Sequence, residues 1–273
     1  MSDSLDLFTT TSKRLPATNG AIDWDEVAEK YFDYILSPYA SEMVRGCEQG
    51  MGRNLLLNYL HSLSIEDLNQ LRILDVGCGP GNLIPHIKGK VNRLVGLDLS
   101  KTSLSIAAQK AFEFKLEFES IHEDMLNVDD ENEFDLIISS NSILPNSRQD
   151  VVSIFAKLAN LLAENGKLIA ILPSFDTTLY LQALRANCPT NSDEVPLMDA
   201  DNLAYADDGR HLQCYHTPSS ILYETRIAGL KLIGSLQKVY YPWDLCRRFG
   251  YGYFPQAGEE IWDWFMIAEK TKS

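Results

Sequence analysis

With 273 residues, 45% of them apolar, the chain has enough material for one large α/β domain or two small ones. Twenty-four basic residues against 38 acidic ones give a formal charge of −14, which repels a phosphate backbone and argues against nucleic acid as a partner. No apolar run matches a membrane span, Met1-Ser2-Asp3-Ser4-Leu5-Asp6 lacks the basic and apolar blocks of a signal peptide, and the five cysteines (Cys47, Cys78, Cys188, Cys214, Cys246) lie apart without a C-x-x-C or Cys/His cluster. These features predict a cytoplasmic protein with reduced thiols, no membrane contact and no metal site.

Residues 1–20 mix Ser, Thr, Asp and one Pro with little periodicity and are expected to form a flexible arm ahead of a single domain over 21–273. From Trp24 to Leu63 the apolar spacing is helical, through Val27, Tyr31, Tyr34, Ile35, Met43, Leu55, Leu56, Tyr59 and Leu63, which predicts two helices broken near Pro38. An apolar strand follows at Ile73-Leu74-Asp75-Val76. Beyond it, strands near 92–98, 115–121, 133–140 and 167–173 alternate with helices near 81–88, 101–113 and 147–164, the rhythm of a parallel sheet with helices on both faces. The last helix is the clearest: Ser147 and Asp150 make a capping-box-like start, Val151, Phe155, Leu158 and Leu162 share a face, and Gly166 is expected to end it.

Residues 175–216 exceed a simple connection and carry Asp193, Glu194, Asp199, Asp201, Asp207 and Asp208, which predicts an inserted cap or mobile loop. Thr217-Pro218 then opens a helix that Ala228-Gly229 closes, and strands are expected at about 231–241 and 260–269. Two strands in succession, with no helix between them, can lie antiparallel.

The most informative segment is the one that leaves the first strand. Gly77, Gly79 and Gly81 form G-x-G-x-G, with Asp75 two residues ahead, instead of the G-x-G-x-x-G of a dinucleotide fold. Glycine lets the backbone turn sharply and approach a ligand closely. The second strand, Leu94-Val95-Gly96-Leu97-Asp98, ends in an acid at the separation expected of a carboxylate that accepts from both ribose hydroxyls.

These residues resemble the first motif of the class I S-adenosylmethionine-dependent methyltransferases, and the resemblance runs over roughly residues 70–270. It implies a doubly wound, seven-stranded, mostly parallel sheet with an antiparallel last strand, N-terminal helices over 21–66 acting as a lid, and S-adenosylmethionine as cofactor with S-adenosylhomocysteine as product. By the same resemblance the cofactor pocket takes in Asp75, Gly77, Cys78, Gly79, Gly81, Asp98, Leu99, Met125 and Ser140. Asp124, in Ile121-His122-Glu123-Asp124-Met125-Leu126, would contact the adenine amino group, and Tyr31, in Trp24-Asp25-x-x-Ala28-x-x-Tyr31, would reach back to the cofactor.

After the fourth strand the chain reads Asn141-Ser142-Ile143-Leu144, a departure from the (D/N/S)-P-P-(Y/F) motif that amino-base methyltransferases share. Exocyclic base nitrogens and glutamine amides are therefore disfavoured as acceptors. Asn141 is a candidate for positioning the methyl acceptor or the cofactor. His216 sits where the cap rejoins the domain and, ahead of His61, His86, His122 and His211, is the candidate general base; Tyr31 completes the catalytic candidates. Aromatic residues gather at Trp24, Tyr31, Phe32, Tyr34 and Tyr39 and again at Tyr240, Tyr241, Trp243, Phe249, Tyr251, Tyr253 and Phe254, as an apolar pocket for a cationic group would require. The expected activity is methyl transfer to oxygen or nitrogen of a small metabolite by a monomer or homodimer. A peptide or protein acceptor, or a non-catalytic binding module, are the alternatives.

Overall fold

The computed structural model describes Asp25 and residues 55–87, 89–91, 93–129, 133–186, 197–206, 212–240 and 261–271. Two short helices, α1 (Leu55–Ser62) and α2 (Ile65–Gln70), lead into strand β1 (Ile73–Val76). There follow a one-turn helix α3 (Ile84–Ile87), β2 (Arg93–Asp98), α4 (Lys101–Glu113), β3 (Glu117–His122), β4 (Phe134–Ser140), α5 (Arg148–Leu161) and β5 (Leu162–Pro173). Beyond β5 come α6 (Phe175–Ala186), three short strands β6 (Leu197–Asp199), β7 (Ala204–Ala206) and β8 (Gln213–Cys214), then α7 (Pro218–Ile227), β9 (Leu230–Leu232), β10 (Gln237–Tyr240) and β11 (Trp262–Lys270).

The main sheet runs β10-β11-β5-β4-β1-β2-β3, with β9 also paired to β11. Strands β1 to β5 are mutually parallel, and β11 lies antiparallel between β5 and β10. The strand order reverses between β1 and β4, and such a switch point opens a ligand crevice at the carboxyl ends of the strands.

Alternation along the strands divides the core into two layers. Leu74, Val76, Ile137, Leu168 and Ala170 pack with Phe155 and Leu158 of α5 and Ile221 of α7. On the opposite face Ile73, Leu136, Ile138, Ile169 and Ile171 pack with Leu56 and Leu60 of α1, Ile84 and Ile87 of α3, and Ala107 and Ala111 of α4. Leu56 and Leu60 are almost wholly buried, so residues 55–63 belong to the layer on the sheet and not to a lid over it. Apart from Asp25, the rest of the expected lid and the arm over 1–20 lie outside the described residues.

Three boundaries differ from expectation. Helix α5 stops at Leu161, because Leu162 takes an extended conformation and pairs with Phe134; Gly166 sits inside β5, where a side chain would meet the Phe134 carbonyl oxygen at 2.7 Å. The helix expected over 81–88 shrinks to α3, since the glycine loop occupies its first turn. The strand expected over 231–241 divides into β9 and β10, which pair with opposite ends of β11; Gly234, with φ at +73°, breaks the ladder between them. That division makes eight strands of seven. Within 175–216 the described part consists of α6 and an antiparallel β6-β7-β8 sheet, which rejoins the main domain through a parallel bridge from His216 to Ser174.

Candidate functional site

At the carboxyl end of β1 all three loop glycines adopt positive φ, +65° at Gly77, +52° at Gly79 and +70° at Gly81. A side chain at Gly77 would collide with Ser142, and one at Gly81 would approach Ile84 Cδ1 to 2.6 Å and Ala107 Cα to 3.1 Å. At Gly79 it would meet nothing within 4 Å. The loop is thus packed on both flanks and open at its centre, where the backbone can be approached closely; its N–H groups at Gly77, Cys78 and Gly81 donate to the Leu97 and Cys78 carbonyls.

Asp98, at the end of β2, organises this loop. Its Oδ2 accepts from the Gly79 N–H at 2.8 Å and its Oδ1 from the Ser100 N–H at 2.8 Å. Burial pushes the Asp98 carboxyl up, and the two N–H groups pull it back in part. The Asp75 side chain, by contrast, makes no hydrogen bond among the described residues. Burial, and then the charge of Asp98, push the Asp75 carboxyl up to about 7. Cys78 is buried within the loop, with its N–H on the Leu97 carbonyl and its thiol pushed well up by burial.

The turn after β2 is held from two sides that sequence reasoning did not single out. The Ser100 hydroxyl caps α4 by accepting from the Ser103 N–H, and it donates to Asp25 Oδ1 at 2.7 Å; Thr102 N–H also donates to that oxygen, at 3.0 Å. His122, paired with Asp98 in the β2–β3 register, places Nε2 2.9 Å from the Leu99 carbonyl oxygen. Leu99 is left exposed beside Asp98. Asp124 closes a turn by accepting from the Leu126 N–H at 2.8 Å, with Met125 at its apex.

At the end of β4, Ser140 precedes Asn141, whose φ of +53° turns the chain back across the crevice. Ser142 Oγ donates to the Val76 carbonyl at 2.6 Å, tying this turn to the glycine loop. Asn141 Nδ2 donates to Asp263 Oδ2 at 2.9 Å, and Asp263 Oδ1 accepts from the Ser174 N–H at 3.2 Å. Asn141 Oδ1 is buried and has no partner among the described residues. Asp263 was missed in the sequence, although a lone acid in Ile261-Trp262-Asp263-Trp264-Phe265-Met266 is a visible signal.

His216 is placed differently from expectation. Its ring is fully buried, with Nδ1 3.4 Å from an Arg148 guanidinium nitrogen and 3.7 Å from Glu224 Oε2, so it sits against the Arg148–Glu224 ion pair that joins α5 and α7 and is not an accessible base. Arg148 also donates to the Tyr215 carbonyl at 2.7 Å and, through its own N–H, to Asn202 Oδ1 at 3.0 Å. Tyr31 and the expected aromatic residues other than Tyr240 lie outside the described residues. Tyr240 packs at a tilt against Trp262.

Burial first, and then the charge of Arg148, hold His216 below its ordinary 6.5, against the opposing pull of Glu224. The folded protein therefore keeps this ring neutral while the unfolded chain takes up a proton below 6.5. The stability it contributes is complete above that pH and falls as pH drops towards the depressed folded value, by at most about 1.4 kcal/mol per pH unit. Urea unfolding between pH 7 and pH 5 should show the wild-type advantage over His216→Gln shrinking with acid. A constant difference would refute this.

Residues 73–166 match the family described as "Methyltransferase domain". A protein of Geobacillus sp. (strain WCH70) that carries the name of a methyltransferase is 33% identical over 102 residues, which is 36% of this chain and 40% of that relative. The chain therefore spans well under half the length of this curated relative. The structure resembles magnesium protoporphyrin IX methyltransferase from Synechocystis PCC 6803, solved with bound S-adenosylhomocysteine, at 14% identity and a TM-score of 0.61, over 91% of this chain and 96% of that one. It also resembles the Burkholderia thailandensis 1,6-didemethyltoxoflavin-N1-methyltransferase, solved with 1,6-didemethyltoxoflavin and S-adenosylhomocysteine, at 16% identity and a TM-score of 0.53, over 94% of each chain. At these identities the likeness is one of fold.

Proposed function

We propose that the protein, whose residues 73–166 match a methyltransferase-domain family, transfers a methyl group from S-adenosylmethionine to a nitrogen or oxygen of a small molecule. The observation that carries the reading is the bond from the Gly79 N–H to Asp98, which joins the open centre of the glycine loop to the acid at the end of β2.

The residues present fit the cofactor. The open centre of the loop at Gly79 lets the cofactor approach the backbone closely. Each Asp98 oxygen spends one lone pair on a backbone N–H and keeps another for a ribose hydroxyl. Asp75, buried without a partner among the described residues, suits the ammonium group, whose charge would favour the ionised carboxylate. Leu99, Asp124 and Met125 line the adenine end in this reading. Bound there, the cofactor supplies a methyl group on a sulfonium, which is already an excellent leaving group.

What the protein must add is alignment. Asn141 stands at the end of β4, tied through the neighbouring Ser142 to the glycine loop, and in this reading it meets the methyl acceptor. An amine that enters neutral needs no base, which agrees with the enclosure of His216. Among the described residues no helix is long and apolar enough to cross a membrane.

Calorimetry should show that S-adenosylhomocysteine binds and that NAD does not. Tight NAD binding with none of S-adenosylhomocysteine would overturn the reading. Cofactor labelled in its methyl group, incubated with the protein and a metabolite extract, should place label on a small molecule; label on protein alone would move the acceptor to peptides.

A further inference from the structure

We infer that Asp263 is a positioning residue for methyl transfer: it fixes the Asn141 carboxamide so that a carbonyl oxygen is the group left to pair with the methyl acceptor. The acceptor is then a group with its own N–H or O–H, and a carbon nucleophile without one is excluded. This rests on the methyl-transfer reading above.

An asparagine side chain can turn over, exchanging its NH2 and its oxygen at little steric cost. Here the choice is forced. Asp263 is 4% exposed, and its Oδ1 is engaged by the Ser174 N–H, a backbone donor that can meet only an acceptor. Oδ2 is an acceptor as well, so the Asn141 atom 2.9 Å from it is assigned as the donor Nδ2. That leaves Oδ1 on the other side of the amide, buried and without a partner among the described residues.

An unpaired buried acceptor is uncommon and carries a cost, and such exceptions gather where a ligand completes the pairing. The backbone supports this. Asn141 holds a φ of +53°, its N–H donates to the Ile171 carbonyl at 2.9 Å, and Ser142 beside it bonds both Val76 and Ser139. The carboxamide is therefore fixed relative to the glycine loop on one side and to β11 on the other.

Asp263→Asn tests the orientation, because it exchanges one carboxylate oxygen for an NH2 and leaves the shape alone. The new amide must keep its oxygen on the Ser174 N–H, so its NH2 faces Asn141, which turns over and presents its own NH2 where the carbonyl stood. Asn141→Asp combined with Asp263→Asn restores an oxygen on both sides of position 141. Transfer is measured as the initial rate of label from methyl-labelled S-adenosylmethionine to the small-molecule fraction of a metabolite extract, and S-adenosylhomocysteine affinity by calorimetry.

The expected result is a loss of about 10-fold or more in transfer for Asp263→Asn, the equivalent of one mispaired buried hydrogen bond, with S-adenosylhomocysteine affinity nearly unchanged and substantial recovery in the double variant. Wild-type transfer by Asp263→Asn overturns the inference. So does a double variant that folds and binds S-adenosylhomocysteine but regains no transfer, since Asp263 would then serve the fold alone. If the wild-type protein binds S-adenosylhomocysteine yet labels nothing in the extract, the transfer reading and this inference fall together; if it does not bind S-adenosylhomocysteine, the cofactor reading itself fails.

Discussion

Asp98→Ala is expected to weaken S-adenosylhomocysteine binding by roughly 2–4 kcal/mol, about 30-fold to 1000-fold, while the protein remains folded. The carboxylate would contact the ribose directly and it also holds the Gly79 and Ser100 N–H groups, so the substitution removes charge-assisted bonds and releases the loop that faces the ligand. Asp98→Asn should be nearly as harmful. Both oxygens of the native carboxylate meet backbone donors, and an amide would turn its NH2 towards one of them. The fold should tolerate the change better than the site does, because burial has already raised the carboxyl in the folded state: a raised acid contributes its stability below its unfolded value and loses it as pH rises. Calorimetry beside urea unfolding checks this. An unchanged Kd in a folded variant would remove Asp98 from the site.

The geometry of the glycine loop and of the end of β2 was legible because its signals are local. Glycines in alternation permit the positive φ found at positions 77, 79 and 81, and an acid ending an apolar strand marks the carboxyl edge of a parallel sheet. The alternation of strands and helices gave the sheet order its direction, and the Thr217 cap with Pro218 located α7 to the residue. What stayed hidden depends on contacts across many residues of chain. Asp263 meets Asn141 only because β11 inserts antiparallel beside β5, and Asp25 reaches Ser100 from a segment whose periodicity says nothing of its destination. His216 was misjudged for the same reason. Its position at the edge of the cap suggested an accessible base, but its full burial and its closeness to Arg148 and Glu224 are tertiary facts. Gly166 shows a local signal misread: glycine at a helix end and glycine beneath a neighbouring carbonyl look alike in sequence.

Glu224→Ala should produce the largest loss of stability, about 3–5 kcal/mol, without touching the glycine loop. Glu224 is 3% exposed, and its Oε1 accepts from Arg148 Nε at 2.6 Å and from a second guanidinium nitrogen. Removing the carboxylate leaves a largely buried guanidinium with the Tyr215 carbonyl as a remaining acceptor, and an uncompensated buried charge is far costlier than the intact pair is favourable. Glu224→Gln, which keeps an acceptor and the shape, should fall between the two. Replacing both partners with apolar residues, Arg148→Met with Glu224→Leu, should recover most of the loss, because desolvation of the pair offsets much of its attraction. Urea midpoints at pH 7 with an unchanged m-value give the comparison. If Glu224→Ala unfolds at the wild-type midpoint, or if the double apolar variant is less stable than Glu224→Ala, the Arg148–Glu224 pair does not hold α7 to α5.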